Sequence, residues 1–168
     1  MRDPGGRIAI AVPPHANFRL FDDHGSHGIN WLRKVDFVVE EPSRYLFIEL
    51  KDYENPGSSP QTQSNDRQRF FKGAIDQELC EKFVDSYFYE TAAGRADKPV
   101  DYYILAETRS ELRLLNKRSD ALLRQLPRNG PMLASGLELW KRPFLRSLLV
   151  LNVEQWNHYL PDYPVSII

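Results

Sequence analysis

Cysteine is almost absent from this chain: Cys80 stands alone among 168 residues, so no internal disulfide is possible. It falls in an apolar helical stretch, which predicts a buried thiol rather than a nucleophile. No apolar run approaches the length of a membrane-crossing helix, and Met1-Arg2-Asp3-Pro4-Gly5-Gly6 has no apolar signal region. The expected home is therefore the cytoplasm, with no membrane partner. Internal repeats are lacking, and residues 55–64 form the one loop rich in Pro, Gly, Ser and Gln. There is no Gly-rich phosphate loop and no nucleophile elbow. Ser26 has no identifiable base in a triad-like context, which leaves serine-hydrolase chemistry unsupported. Net charge is also scarce, at −1 overall, unlike a dedicated nucleic-acid-binding domain. What remains is an ordinary globular composition, 42% hydrophobic, and a length that suits one domain spanning 1–168.

The richest segment is Asp36-Phe37-Val38-Val39-Glu40-Glu41-Pro42-Ser43-Arg44-Tyr45-Leu46-Phe47-Ile48-Glu49-Leu50-Lys51. Two β-prone runs, residues 35–39 and 45–50, flank a polar turn holding Pro42 and Ser43, which predicts an antiparallel hairpin. Folding about that turn pairs positions whose numbers sum to 85, so Asp36 faces Glu49. Alternation along the strand puts Glu49 and Lys51 on one face. Val35, Phe37, Val39, Leu46, Ile48 and Leu50 are expected on the reverse, apolar face. Opposed residues have Cβ atoms about 4.5–5.5 Å apart, a distance that suits two carboxylates sharing one divalent cation. Without a cation the carboxylates would repel and one would hold its proton; a metal or a nearby lysine relieves this. The bland alternative is a solvated strand face on which Lys51 pairs with Glu49 or Asp36 for little energetic gain.

Asp36 followed by Glu49-Leu50-Lys51 on the next strand resembles the PD-(D/E)XK nuclease superfamily. The resemblance covers about a third of the chain, with Val35 where the family name has proline. It implies an α/β, restriction-endonuclease-like fold, with a central mixed β-sheet and an antiparallel hairpin flanked by helices. It further implies that Asp36, Glu49 and the Leu50 carbonyl bind Mg²⁺ or Mn²⁺, while Lys51 positions the attacking water and steadies transition-state charge. Hard oxygen ligands suit Mg²⁺, which keeps several waters and polarises one of them. The implied function is metal-dependent hydrolysis of phosphodiester bonds in nucleic acid, DNA before RNA. The chain would act as a homodimer or as a subunit of a larger restriction, phage-defence or repair assembly. The alternative is a catalytically inactive nuclease-fold module that binds nucleic acid or a protein.

The remaining pattern predicts strands at 7–12 and 17–21, and a long helix opening at Asn65 with Gln68 as a capping box. Its apolar stripe is Phe71, Ile75, Leu79, Phe83 and Tyr87, and Gly94 ends it. A buried strand follows at 100–106. Thr108 and Glu111 open a helix that Pro127 closes, a strand spans 148–151, and Asn152 with Gln155 caps a terminal helix. The family's leading acidic helix has no counterpart. Between residues 109 and 146 nine basic residues meet three acidic ones, leaving the rest of the chain at −7. Arg109, Arg113, Lys117 and Arg124 span an arc of about 80° on a helix, a stripe able to track phosphates or to face solvent only. Gln68 and Lys72, four apart, are further candidates to assist the hairpin site, or an ordinary exposed pair. Asp22-Asp23-His24-Gly25-Ser26-His27-Gly28 is a rival constellation: a zinc loop, a source of a third carboxylate for the hairpin, or a polar turn.

Overall fold

Alternating apolar residues along residues 37–50 and an unbroken apolar run at 100–106 build the sheet on which everything else is hung. The computed structural model describes residues 1–2, 6–21, 31–110, 112–130, 134–136, 140–141 and 143–168. Among them the strands are β1 (Ile8–Ile10), β2 (Asn17–Leu20), β3 (Phe37–Glu40), β4 (Tyr45–Asp52), β5 (Val100–Glu107), β6 (Ser147–Leu151) and β7 (Val165–Ile167). The helices are α1 (Pro60–Phe71), α2 (Asp76–Ala92), α3 (Leu112–Leu123) and α4 (Val153–Tyr159). No described helix is long and apolar enough to cross a membrane.

The main sheet is mixed, in the order β2-β3-β4-β5-β6. β2, β3 and β4 are antiparallel neighbours, whereas β4, β5 and β6 run parallel, joined by right-sized helical crossovers. A separate antiparallel pair, β1 with β7, brings the two ends of the chain together. The fold is thus α/β, with a mixed five-stranded sheet and a two-stranded sheet flanked by four helices.

Both sheet faces are buried, which corrects the expectation of one core face and one open face. Phe37, Val39, Leu46, Ile48 and Leu50 pack with Ile8, Ile10, Trp156 and Val165 from β1, α4 and β7. On the opposite face, Val38, Tyr45 and Phe47 meet Phe70, Leu79, Phe83, Leu115 and Leu122 from α1, α2 and α3. Val35 belongs to this second layer and not to the first, because it precedes β3 and escapes its alternation. Parallel strands with helical crossovers need both faces covered, so polar residues on β4 end up beneath a helix.

The long helix expected from Asn65 to Gly94 is two helices. α1 starts earlier, at Pro60, because Ser59 caps it by accepting the Thr62 N–H (3.1 Å) and proline is favoured in the first turn. It stops at Lys72, where Gly73 adopts φ +81°. Asp76 then opens α2 and accepts hydrogen bonds from Arg118 and from Gln125 (2.9 Å), tying α2 to α3. Gly94, at φ +75°, lies just beyond the end of α2 as expected. Asn152 and Gln155 form the capping box of α4. β7 has no strong sequence signal and was not expected. Glu111, the second half of the box proposed with Thr108, lies outside the described residues, as does the loop from Asp22 to His27.

Candidate active site

β3 and β4 pair in the register Phe37↔Ile48, Val38↔Phe47, Val39↔Leu46 and Glu40↔Tyr45, each summing to 85. Asp36 stands at a bend one residue ahead of β3, outside that pairing. What brings it near Glu49 is a shared contact of the two carboxylates with one ammonium, that of Lys82. The segment before β3 is held from two sides. Phe21 donates its N–H to the Asp36 carbonyl (2.8 Å), extending the β2 edge. Ser86 of α2 accepts the Val35 N–H (3.0 Å), and Asp85 accepts that of Arg33 (2.9 Å).

The Asp36 carboxylate accepts the Leu50 N–H through Oδ2 at 2.6 Å, a charge-assisted bond that fixes its rotamer. In an extended strand the N–H and C=O of one residue leave on the same side, so the Leu50 carbonyl leaves β4 by the edge that faces β3. Glu49 is fully buried. Lys51 reaches its Oε1 at 2.8 Å and lies 3.8 Å from Glu78 of α2. Burial, followed by the neighbouring Asp36 carboxylate, pushes the Glu49 carboxyl above its ordinary range, while the Lys51 and Lys82 ammoniums pull it back down.

Lys82 is the residue that sequence reasoning missed. Its Nζ lies 2.7 and 2.9 Å from the two Glu49 oxygens and 3.4 Å from Asp36 Oδ1. The signal was present: Lys82 sits about 60° around the helix from Leu79, on the inward side that also carries Phe83 and Ser86. A lysine there must find buried anions. Gln68 and Lys72, the candidates named from sequence, are exposed, and Lys72 caps the end of α1.

Beside Lys51 opens a cleft of about 280 Å³, lined among others by Leu50, Lys51, Tyr53, Asp66, Arg69 and Glu78. Arg69 of α1 therefore brings a guanidinium to the site that the sequence did not single out. Arg109, Arg113, Lys117 and Arg124 are all exposed and none lines this cleft. Arg109 precedes α3 and lies 3.8 Å from Glu54, while Arg124 follows the helix; only Arg113 and Lys117 lie within it. Arg118, one residue on, is buried against Asp76.

The donor set fits a hard divalent cation in kind. Asp36 Oδ1 and both Glu49 oxygens converge on one point, and a cationic ammonium already stands there. Two carboxylates leave most positions to water, in keeping with Mg²⁺ chemistry. Among the described residues no group of three or more His, Cys, Asp or Glu is placed to hold a metal. No protein-family model matches the chain, and neither does any curated protein or solved structure.

Proposed function

We propose that this chain is a metal-dependent nuclease with a restriction-endonuclease-like fold, hydrolysing phosphodiester bonds, in DNA before RNA. One observation carries the reading: Asp36 and Glu49 converge on one point at the end of a hairpin, with the Lys51 ammonium 2.8 Å from Glu49 and an open cleft beside Lys51. A surface ion pair needs none of this; here one carboxylate is fully buried and the other is locked by a backbone N–H. Burying such charge is costly and is characteristic of functional sites.

Mg²⁺ or Mn²⁺ would be held by Asp36 and Glu49 with the Leu50 carbonyl, and when bound supplies Lewis-acid polarisation of water and phosphoryl oxygen. The chain's own residues do the rest. The Leu50 N–H keeps Asp36 from rotating away. Lys51, which lines the cleft and touches Glu49, can donate to the attacking water and steady the added negative charge. Arg69, which also lines the cleft 3.9 Å from Asp66, can hold a neighbouring phosphate. With little net charge, the chain gains grip on DNA from a partner, either a second copy or another subunit of an assembly.

A second reading is favoured by Lys82, which neutralises the carboxylates without any metal: a catalytically inactive module that binds nucleic acid or a protein. Cleavage assays with Mg²⁺ and Mn²⁺ on double-stranded, single-stranded and branched DNA and on RNA separate the two. Metal-dependent cleavage is expected, reduced by about 10²-fold or more in Lys51→Ala, Asp36→Asn and Glu49→Gln. A folded wild type that cuts nothing and binds no metal rejects the nuclease.

A further inference from the structure

The inward face of α2 is built from Leu79, Phe83, Ser86 and Glu90, all buried, and Lys82 sits among them. Its side chain is 14% exposed, against 13% for Asp36 and none for Glu49, so all three charges share a site with little water. Both Glu49 carboxylate oxygens are within 2.9 Å of its Nζ. The ammonium is therefore a cation fixed by the fold at the point where the two carboxylates converge. A divalent ion held by the same oxygens would stand in contact with Nζ, and like charges that close, with little water between them, strongly oppose each other.

The same helix offers a way out. Glu78 lies four residues before Lys82, the favourable order for an i,i+4 pair, and it lines the cleft beside Lys51. Its side chain is 39% exposed, so it can receive an ammonium without a large desolvation penalty.

We propose that Lys82 is the resident cation of the Asp36–Glu49 pair and competes with the divalent metal for it, moving to Glu78 when metal enters. This rests on the nuclease reading for the identity of the metal site. It makes Lys82 a positioning residue that sets metal affinity.

The test is Mn²⁺ binding, by electron paramagnetic resonance and calorimetry, together with thermal unfolding with and without Mn²⁺. It compares wild type, Lys82→Met, Lys82→Gln and the double variant Glu49→Gln/Lys82→Met. Lys82→Met keeps the length of the side chain without its charge; it should bind Mn²⁺ about tenfold or more tightly than wild type. Without metal it should unfold at a lower temperature than wild type, and Mn²⁺ should raise its midpoint by more. Glu49→Gln on this background should abolish the gain. Equal or weaker Mn²⁺ binding in Lys82→Met overturns the competition; if wild type still binds Mn²⁺ and cuts, the nuclease reading stands alone. No Mn²⁺ binding by any form overturns both. Should Lys82→Met not fold, Lys82→Gln carries the same comparison. Folding of either variant only with Mn²⁺ supports the proposal, and folding of neither under any condition overturns it.

Discussion

Single residues in this protein are governed by how far their charge has been withdrawn from water. Glu107, at the end of β5, is a case away from the carboxylate pair. Burial pushes its carboxyl up, Arg7 pulls it down, and Asp52, its partner in register, pushes it up again. A raised acid holds more protons in the native state than in the unfolded chain. Its stability contribution therefore falls as pH rises from the ordinary value of 4.5 through the raised one. Above that window the cost is complete; below 4.5 it is absent. Glu107→Gln should thus be more stable than wild type near about pH 7, by less than about 1 kcal/mol because solvent screens the group. The difference should vanish near about pH 4, as denaturant midpoints at the two pH values will record. Cys80 obeys the same rule: its thiol is half-buried and pushed up by burial, then by Glu81, in keeping with a packed thiol rather than a nucleophile.

At the scale of elements, the hairpin and the helix above it were legible to different degrees. The register of β3 and β4 was readable because a tight polar turn between two alternating runs leaves one pairing that buries the apolar side chains. The capping box of α4 was readable because capping depends on a few neighbouring side chains. The break between α1 and α2 was not, since the apolar stripe runs straight through it. What enforces the break is tertiary: Gly73 takes a left-handed conformation, and a Cβ there would lie 3.0 Å from Oδ2 of Asp76, whose carboxylate is held by Arg118 at Oδ1 and Gln125 at Oδ2. Gly73→Ala should cost about 1–2 kcal/mol. A shifted denaturant midpoint at unchanged slope checks it. Because α2 carries Lys82, the same break sets where the ammonium meets the hairpin.

For the whole molecule, the question is which surface meets nucleic acid. α3 packs on the same sheet face as α2, against β6, and its basic residues Arg113 and Lys117 are exposed. Arg113, Lys117 and Arg124 are exposed, and among the described residues no ion pair engages them. Replacing all three by Glu should leave folding within about 0.5 kcal/mol, as for surface changes far from special features. If this face tracks phosphates, affinity for duplex DNA should drop, and the slope of log K against log salt should flatten by about 2–3. Fluorescence anisotropy across a salt series reads both. An unchanged slope would return these residues to an ordinary solvated face.

The sequence by itself determined what short-range patterns can carry: the α/β order of most elements, the hairpin and its register, and the candidate trio Asp36, Glu49 and Lys51. These follow from alternation and turn chemistry, which act between neighbours or across one turn. Only the tertiary structure decided that both sheet faces are covered, that β7 closes against β1, and that Lys82 comes down onto the carboxylate pair. Lys82 and Glu49 are 33 residues apart, and what joins them is the packing of a helix on a sheet. Packing depends on the summed shape of many side chains, and no local pattern encodes that sum.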